Sequence, residues 1–128
     1  MRAIDTNVVV QYLTRDDPGL AAKARAVVDA GNVFAGTTVL LETEWVLRSV
    51  YGFSSQEVAD ALLAFAGLPG VSVESPVLLA GALSRTRNGM DFADALHLGA
   101  AVKCEEMLTF DRRFIETAIG DAVRVKEP

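Results

Sequence analysis

The stretch MRAIDTN, residues 1–7, decides the fold of this sequence. It predicts a short buried strand over residues 2–4 that ends at Asp5, followed by a brief helix to about residue 13. Short apolar runs alternate with helical stretches in the same way along the rest of the chain. This alternation predicts an α/β fold, in which helices pack on the faces of a parallel sheet.

Four further strands are predicted, at residues 33–35, 71–74, 107–109 and 122–125. The first two of these helices are predicted at residues 18–30 and from Thr37 or Thr38 to Tyr51. A third begins at Ser54 and Ser55, and a fourth runs from Ser75 and Pro76 to about Asn88 and Gly89. A fifth covers residues 91–104, and a helical turn is predicted at residues 111–115. Pro18 and Gly31 are typical of a helix start and stop, and Glu57 is placed as the acid of a capping box. Repeats and long linkers are lacking, so we expect one domain over residues 1–128.

The bulk composition is that of an ordinary globular protein, with 51% hydrophobic and 23% charged residues. The single cysteine, Cys104, cannot form an intramolecular disulfide, which favours a reducing cytoplasm. The first residues do not resemble a signal peptide. The apolar runs fall short of the roughly 18 residues that a membrane span needs, so we expect no membrane association.

The net charge of −5 runs against a nucleic-acid partner, because phosphate binding usually rests on Lys and Arg. If five acids belong to one metal pocket, the other 12 acids are balanced by the 12 basic residues. These five are Asp5, Glu42, Asp91, Asp94 and Asp111. The charge therefore neither supports nor excludes RNA.

Two acids follow predicted strands directly. Asp5 follows the first strand, and Asp111 follows the strand at residues 107–109. Ligands of open parallel sheets bind beyond the carboxyl ends of the strands, which makes both acids candidates for a site. Helix N-capping is the alternative interpretation for each of them.

Glu42 is the candidate on the helix that starts at Thr37 or Thr38. Helical periodicity predicts a buried stripe of Val39, Thr43, Val46 and Val50. Glu42 is expected at the edge of this stripe, where a carboxylate is costly unless it is paired or bound to metal. Glu44 is expected to point away and to form an exposed ion pair with Arg48, four residues on.

Asp94 lies one turn inside the helix at residues 91–104, which is apolar almost all round and therefore expected to be buried. It shares a helix face with Asp91. Asp91 has a strong alternative as a helix cap, whereas Asp94 is harder to explain without a function. His97 is expected to have a packing or indirect role.

Four or five carboxylates in one pocket require a cation. Two like charges about 4 Å apart repel by about 4 kcal/mol at an effective dielectric constant of about 20. Without a cation some carboxylates would have to hold protons. An all-oxygen ligand set suits Mg²⁺ or Mn²⁺, which polarise a phosphodiester and activate water.

Four stretches occur in one order along nearly the whole chain: MRAIDTN (residues 1–7), LETEWVLR (41–48), DFADALH (91–97) and LTFD (108–111). Each is weak alone, but the ordered set is specific. Together they resemble the PIN domain family and, within it, the VapC-type toxins.

This resemblance implies a three-layer α/β/α sandwich with a central parallel sheet. It also implies that Asp5, Glu42, Asp94 and Asp111 surround the metal ions as catalytic ligands. Asp91 matches an often acidic position with a supporting role, and Thr6, Asn7 and Thr109 match small polar positions near the metal or its waters. The implied function is a Mg²⁺- or Mn²⁺-dependent endoribonuclease that hydrolyses RNA phosphodiester bonds.

Members of this family are commonly dimeric and held inactive by a protein antitoxin, so the resemblance implies both partners. The helix from residue 54 is richly apolar through Leu62, Leu63, Phe65 and Leu68, which suits either such an interface or the core. Four arginines, Arg85, Arg87, Arg112 and Arg113, are candidates for phosphate contacts or for solvated surface charge.

Three other functions remain open from the sequence. An aspartyl-phosphate phosphotransferase also places Asp after a first strand, but it needs a second acid two residues later, where this chain has Asn7. A non-catalytic metal-binding interaction module is the second alternative. A PIN nuclease of RNA processing without an antitoxin is the third.

Overall fold

Short parallel strands joined by helices form the frame of this protein in the computed structural model, which describes all 128 residues. The chain divides into two compact units, Met1–Pro76 and Val77–Pro128. Each unit contains its own parallel sheet. The α/β class with parallel strands is therefore confirmed, but the strands form one sheet of three and one of two. The single domain stays a prediction.

The first unit contains seven elements, which are β1 (Arg2–Ala3), α1 (Thr6–Thr14), α2 (Pro18–Ala30), β2 (Val33–Ala35), α3 (Thr37–Ser49), α4 (Ser55–Ala66) and β3 (Val71–Val73). Strand β2 is central and pairs in parallel with β1 and β3. Helix α1 packs against α2 and α3, and α3 packs against α4. The fully buried side chains of Val9, Leu47 and Leu62 belong to three of these helices.

The second unit contains α5, which begins at the boundary (Pro76–Arg87), then α6 (Phe92–Ala100), β4 (Glu106–Leu108), α7 (Arg112–Thr117) and β5 (Arg124–Lys126). Strands β4 and β5 pair in parallel, with Met107 opposite Val125. Helix α7 packs against β5. Leu83, Phe92 and Leu98 form its most deeply buried apolar contacts.

Most predicted boundaries agree with the structure to within one or two residues. The exceptions have physical causes. Strand β1 is exposed rather than buried, because it is an edge strand, and only the following Ile4 is covered. Helix α6 ends at Ala100 rather than at Cys104, because the backbone tightens into turns in which Ala101 N–H donates to Leu98 and Cys104 N–H donates to Ala101. It also exposes His97, so α6 is not buried all round.

Helix α4 confirms the predicted capping box. The Ser54 hydroxyl accepts a hydrogen bond from the Glu57 N–H at 3.1 Å, and the Glu57 carboxylate accepts one from the Ser54 N–H at 3.0 Å. The bond from the Ser54 N–H, and after it the interaction of the carboxylate with the Ser54 hydroxyl, hold the pKa of Glu57 below its ordinary value, because both favour the charged carboxylate. The start of α4 is thus fixed by local sequence alone.

Helix α3 has a different start from the predicted one. Its N-cap residue is Gly36, and neither Thr37 nor Thr38 provides a cap through its side chain. Instead the Thr37 N–H donates to Oε1 of Glu74 at 3.1 Å. Glu74 directly follows β3, so the end of one strand stabilises the first turn of the helix that carries Glu42.

The second unit contains a two-point ion pair. Arg85 on α5 donates from Nε and Nη2 to the two carboxylate oxygens of Asp121, at 2.9 and 3.0 Å. The side chains of Arg85 and Asp121 are only 26% and 15% exposed. Hydrogen bonds from Arg85 lower the pKa of Asp121, and the pair ties α5 to the segment before β5.

None of the seven helices combines the length and the apolar run that crossing a bilayer requires.

We expect Asp121→Asn to lower the free energy of unfolding at neutral pH by about 1.5–3 kcal/mol, because it removes one partner of a charge-assisted pair. Since Asp121 has a lowered pKa in the folded state, its contribution is present above its unfolded pKa. That contribution is lost as the pH falls through the lowered value. Urea denaturation of both proteins across the acid range measures the difference.

The exposed Glu116 on α7 provides the matched control, because Glu116→Gln removes a charge from a surface position of the same unit. A stability difference between wild type and Asp121→Asn that grows towards acid pH would contradict this assignment.

Candidate active site

Asp5 lies at the junction between β1 and α1. Its Oδ1 accepts a hydrogen bond from the Thr6 N–H at 2.6 Å, and it is the N-cap residue of α1. The preceding Ile4 N–H still donates to Phe34 of β2, so the sheet fixes the position where the helix starts. Asp5 is exposed, and the cap uses Oδ1, which leaves Oδ2 for a ligand.

Two small polar residues follow Asp5. Thr6 is only 6% exposed, and its Oγ1 is buried without a hydrogen-bond partner. An unsatisfied buried hydroxyl costs about 1–3 kcal/mol, so its presence beside a candidate ligand is a feature to explain. Asn7 is exposed and lines, with Gln11 and Lys23, a groove of about 310 Å³ between α1 and α2.

The buried face of α3 differs from the predicted stripe. The structure buries Thr43 as predicted, but together with Leu40, Glu44 and Leu47; it leaves Val39 and Val46 half-buried and Val50 65% exposed. Glu42 is therefore an exposed residue and not one at a core margin, while Glu44 is the acid turned inward. The prediction was wrong because it assigned the buried stripe to the valines and not to Leu40 and Leu47.

Glu44 already has a partner. Its Oε2 accepts from Nε of Arg48 at 2.9 Å, as the four-residue spacing predicted. The pair is not the predicted exposed one, since the Glu44 side chain is only 5% exposed, against 42% for Arg48. Of the two acids on α3, Glu42 thus remains available for a ligand and Glu44 has a structural role.

Asp91 and Asp94 begin helix α6. Asp91 is the N-cap residue, and one of its oxygens, Oδ2, accepts from the Asp94 N–H at 3.2 Å. The capping interpretation of Asp91 is thereby confirmed, and a second oxygen remains. Asp94 itself is half-buried in the first turn of α6.

Asp111 repeats the arrangement of Asp5. It follows β4, is the N-cap residue of α7, and accepts from the Phe114 N–H at 3.2 Å through Oδ1. Thr109 holds the turn from the other side, because its Oγ1 accepts from the Asp111 N–H at 3.0 Å. Thr109 therefore positions the backbone of Asp111.

Asp91, Asp94 and Asp111 all belong to the second unit, and the charges of two of them act on the third. The pKa of Asp94 is raised, first by its partial burial and then by the negative charges of Asp91 and Asp111. The exposed His97 opposes this rise. The carboxylate of Asp94 is thus affected by the charges of both Asp91 and Asp111.

The donor chemistry fits a hard divalent cation, since all the candidates are carboxylates and three of them keep an oxygen beyond the one used in capping. The raised pKa of Asp94 is the expected response of such a group without metal. Within neither unit, however, do three acidic, histidine or cysteine side chains lie close enough to hold a metal ion. No complete ligand sphere is therefore assigned within either unit.

The other predicted residues either have structural contacts or are exposed. Arg85 is committed to Asp121, and His97 is exposed rather than packed. Leu62 and Phe65 belong to the core of the first unit, whereas Leu63 is 49% exposed. Arg112 and Arg113 are exposed next to Asp111.

Two structural contacts near the candidates were missed from the sequence. The cap from Glu74 to Thr37 joins residues 37 apart, and the pair of Arg85 with Asp121 joins residues 36 apart. Local patterns carry no signal for either contact. The burial of Glu44 did have a signal, which was the spacing of Leu40 and Leu47 on either side of it.

We expect Asp94→Asn to raise the melting temperature of the metal-free protein at neutral pH. The pKa of Asp94 is higher in the folded protein than in the unfolded chain. Ionisation of Asp94 therefore lowers the free energy of unfolding as the pH rises above the unfolded pKa. An uncharged amide removes that cost. Thermal unfolding in EDTA measures it, with Glu105→Gln at an exposed position of the same unit as the control. An unchanged or lower melting temperature for Asp94→Asn would contradict the expectation.

A family model described as the PIN domain matches residues 3–120. No curated protein matches the chain. PIN domains are generally nucleases, that is hydrolases, that use divalent metal ions. Because the match covers most of the sequence, this chain belongs to the PIN domain family.

Proposed function

We propose that this PIN domain is a Mg²⁺- or Mn²⁺-dependent endoribonuclease with Asp5, Glu42, Asp94 and Asp111 as its metal-binding catalytic residues. The observation that carries the proposal is the placement of acids at element junctions: Asp5 follows β1, Asp111 follows β4, and Asp91 and Asp94 stand at the start of α6. Partial burial, and then the charges of Asp91 and Asp111, raise the pKa of Asp94. A cluster of carboxylates that penalises its own charge is suited to bind a cation. The family match over residues 3–120 supports the same chemistry.

When bound, the cation polarises the phosphodiester and lowers the pKa of the attacking water. Asp5 and Asp111 offer the oxygens that capping leaves over, at positions set by β1 and β4. Glu42 contributes an exposed carboxylate on α3. Asp91 and Thr109 support the site by fixing the first turn of α6 and the backbone of Asp111.

Thr6 and Asn7 complete the proposed set. Thr6 directly follows Asp5 in the chain, and an ordered water would satisfy its buried, unpartnered hydroxyl. Asn7 is exposed on the first turn of α1, beside the groove between α1 and α2. Both residues would orient waters or substrate, without entering bond making or breaking.

We further propose that the enzyme is the toxin of a toxin–antitoxin pair, acts in the cytoplasm on RNA, forms a homodimer and is inhibited by a protein antitoxin. The similarity of the four sequence blocks to VapC-type toxins supports these assignments. A PIN nuclease of RNA processing would share the chemistry but would have no antitoxin. A non-catalytic metal-binding module would keep the carboxylates without cleaving RNA.

The first test is cleavage of a mixed pool of structured RNA with Mg²⁺ or Mn²⁺ and with EDTA. We expect Glu42→Gln to reduce the metal-dependent rate at least about a hundredfold, because even residues that only support metal ligands cost about 10–100-fold when replaced. Asp5→Asn should have the same effect while keeping its helix cap, since Asn caps nearly as well as Asp.

Glu44→Gln is the matched control, two residues away on the same helix. It should cleave at close to the wild-type rate and lose about 1–2 kcal/mol of stability, because the buried Glu44 pairs with Arg48. Equal losses in folded Glu42→Gln and Glu44→Gln would contradict the ligand assignment. Cleavage that persists in both Glu42→Gln and Asp5→Asn would show that the nuclease site lies elsewhere.

The toxin assignment is tested by induced expression in bacteria. Wild-type protein should arrest growth and cause loss of intact RNA, and Glu42→Gln expressed to the same level should do neither. The arrest should be relieved by co-expression of the product of an adjacent small gene, if the protein has a cognate antitoxin. Cleavage of RNA in vitro without growth arrest would favour the RNA-processing alternative.

A further inference from the structure

Helices α1 and α2 of the first unit enclose a groove of about 310 Å³. Its apolar lining consists of Val8 on α1 and of Leu20, Ala24 and Val27 on α2. The three residues of α2 follow the spacing i, i+4 and i+7, so one face of that helix forms one wall. The volume is at the lower end of the range for small-molecule sites, about 300–1,000 Å³. It therefore suits one flat apolar group, such as a nucleobase, and not the several anchor side chains of a partner helix.

The polar side chains of the groove include two that present hydrogen-bond donors. The amide of Gln11 is oriented by the backbone, because its Oε1 accepts from the Asp17 N–H at 3.0 Å. A backbone N–H can only donate, so the amide oxygen must face it, and Nε2 with its two hydrogens remains for a ligand. The ammonium group of Lys23 has donors only. Gln11 and Lys23 together thus offer donors and no free acceptor.

The groove adjoins a proposed ligand within the same unit. Asn7 lines the groove on the first turn of α1 and follows Asp5 by two residues. Lys23 is exposed and is the only charged residue of the lining, so no carboxylate of the groove opposes it. One end of the groove is therefore within a helical turn of Asp5, and its charge is complementary to a nucleotide phosphate.

From these donors we infer that the groove binds a guanine base of the RNA, and that Gln11 and Lys23 select guanine over adenine. The inference rests on the proposed nuclease function and defines the base that is recognised beside Asp5. Guanine has two neighbouring acceptors, O6 and N7, whereas adenine has the N6 amino donor next to N7. Cytosine also presents an amino donor, and uracil presents a single acceptor at O4. Only guanine accepts from both side chains, while the apolar walls contact the faces of its ring.

The binding test uses short dye-labelled oligouridines that differ in one central base, in EDTA, where cleavage is not needed. We expect the guanine oligomer to bind about five- to a hundredfold more tightly than the adenine oligomer, measured by anisotropy. Hypoxanthine keeps O6 and N7 and should equal guanine, whereas 7-deazaguanine lacks the N7 acceptor and should bind more weakly. Methyl resonances of Val8, Leu20 and Val27 should shift with the guanine oligomer, which locates the base in the groove.

Variants separate base selection from general attraction of RNA. Gln11→Glu keeps an oxygen for the Asp17 N–H but replaces the free amide donor by an acceptor. It should abolish the preference for guanine, so that adenine binds at least as tightly. Lys23→Met should reduce the ratio of guanine to adenine affinity about fivefold or more. The matched control is Lys103→Met, which removes the same charge from an exposed position of the second unit and should leave the ratio unchanged.

Several results would overturn the inference. Equal affinity of the wild type for the guanine and adenine oligomers would do so, as would a guanine preference that survives in folded Gln11→Glu and Lys23→Met. Groove methyl resonances that shift with protein concentration, and not with RNA, would assign the groove to a second copy of the chain. If guanine binds selectively but cleavage fails in Mg²⁺ and Mn²⁺, the nuclease proposal falls and the groove assignment stands. Cleavage with unmoved groove resonances gives the reverse.

Discussion

A carboxylate that accepts a backbone N–H at the start of a helix is the interaction on which this structure depends. Asp5, Asp91 and Asp111 each make it, at the first turns of α1, α6 and α7. The interaction satisfies an N–H that the helix leaves free and places negative charge at the positive end of its dipole. It also fixes the rotamer of each acid, so that the second oxygen has a defined position.

Acids that lie close to one another carry a cost in free energy. Partial burial and like charges both disfavour a charged carboxylate. They raise the pKa of Asp94, burial first and then the charges of Asp91 and Asp111. A cation bound near Asp94 would relieve this cost.

Local patterns in the sequence were sufficient for most helices and strands and for the helix caps at Asp5, Asp91 and Asp111, whereas the ligand roles of these acids stay a prediction. The Pro18–Ala30 helix, the Val33–Ala35 strand and the Ser54–Glu57 capping box each depend on neighbouring residues and were predicted correctly. The buried faces of helices were harder to predict. Helix α3 has two apolar stripes, and only tertiary packing selects Leu40 and Leu47 over Val39 and Val46. Contacts between distant residues, such as Glu74 with Thr37, have no local signal.

The capping role of the aspartates has a genetic consequence. Asn is nearly as good an N-cap residue as Asp, and the codons of the two differ by one base. A single base change at Asp5, Asp91 or Asp111 therefore removes a charge while preserving the helix that the residue begins. If Asp5 and Asp111 are metal ligands as proposed, such single-base alleles would be inactive and would still fold.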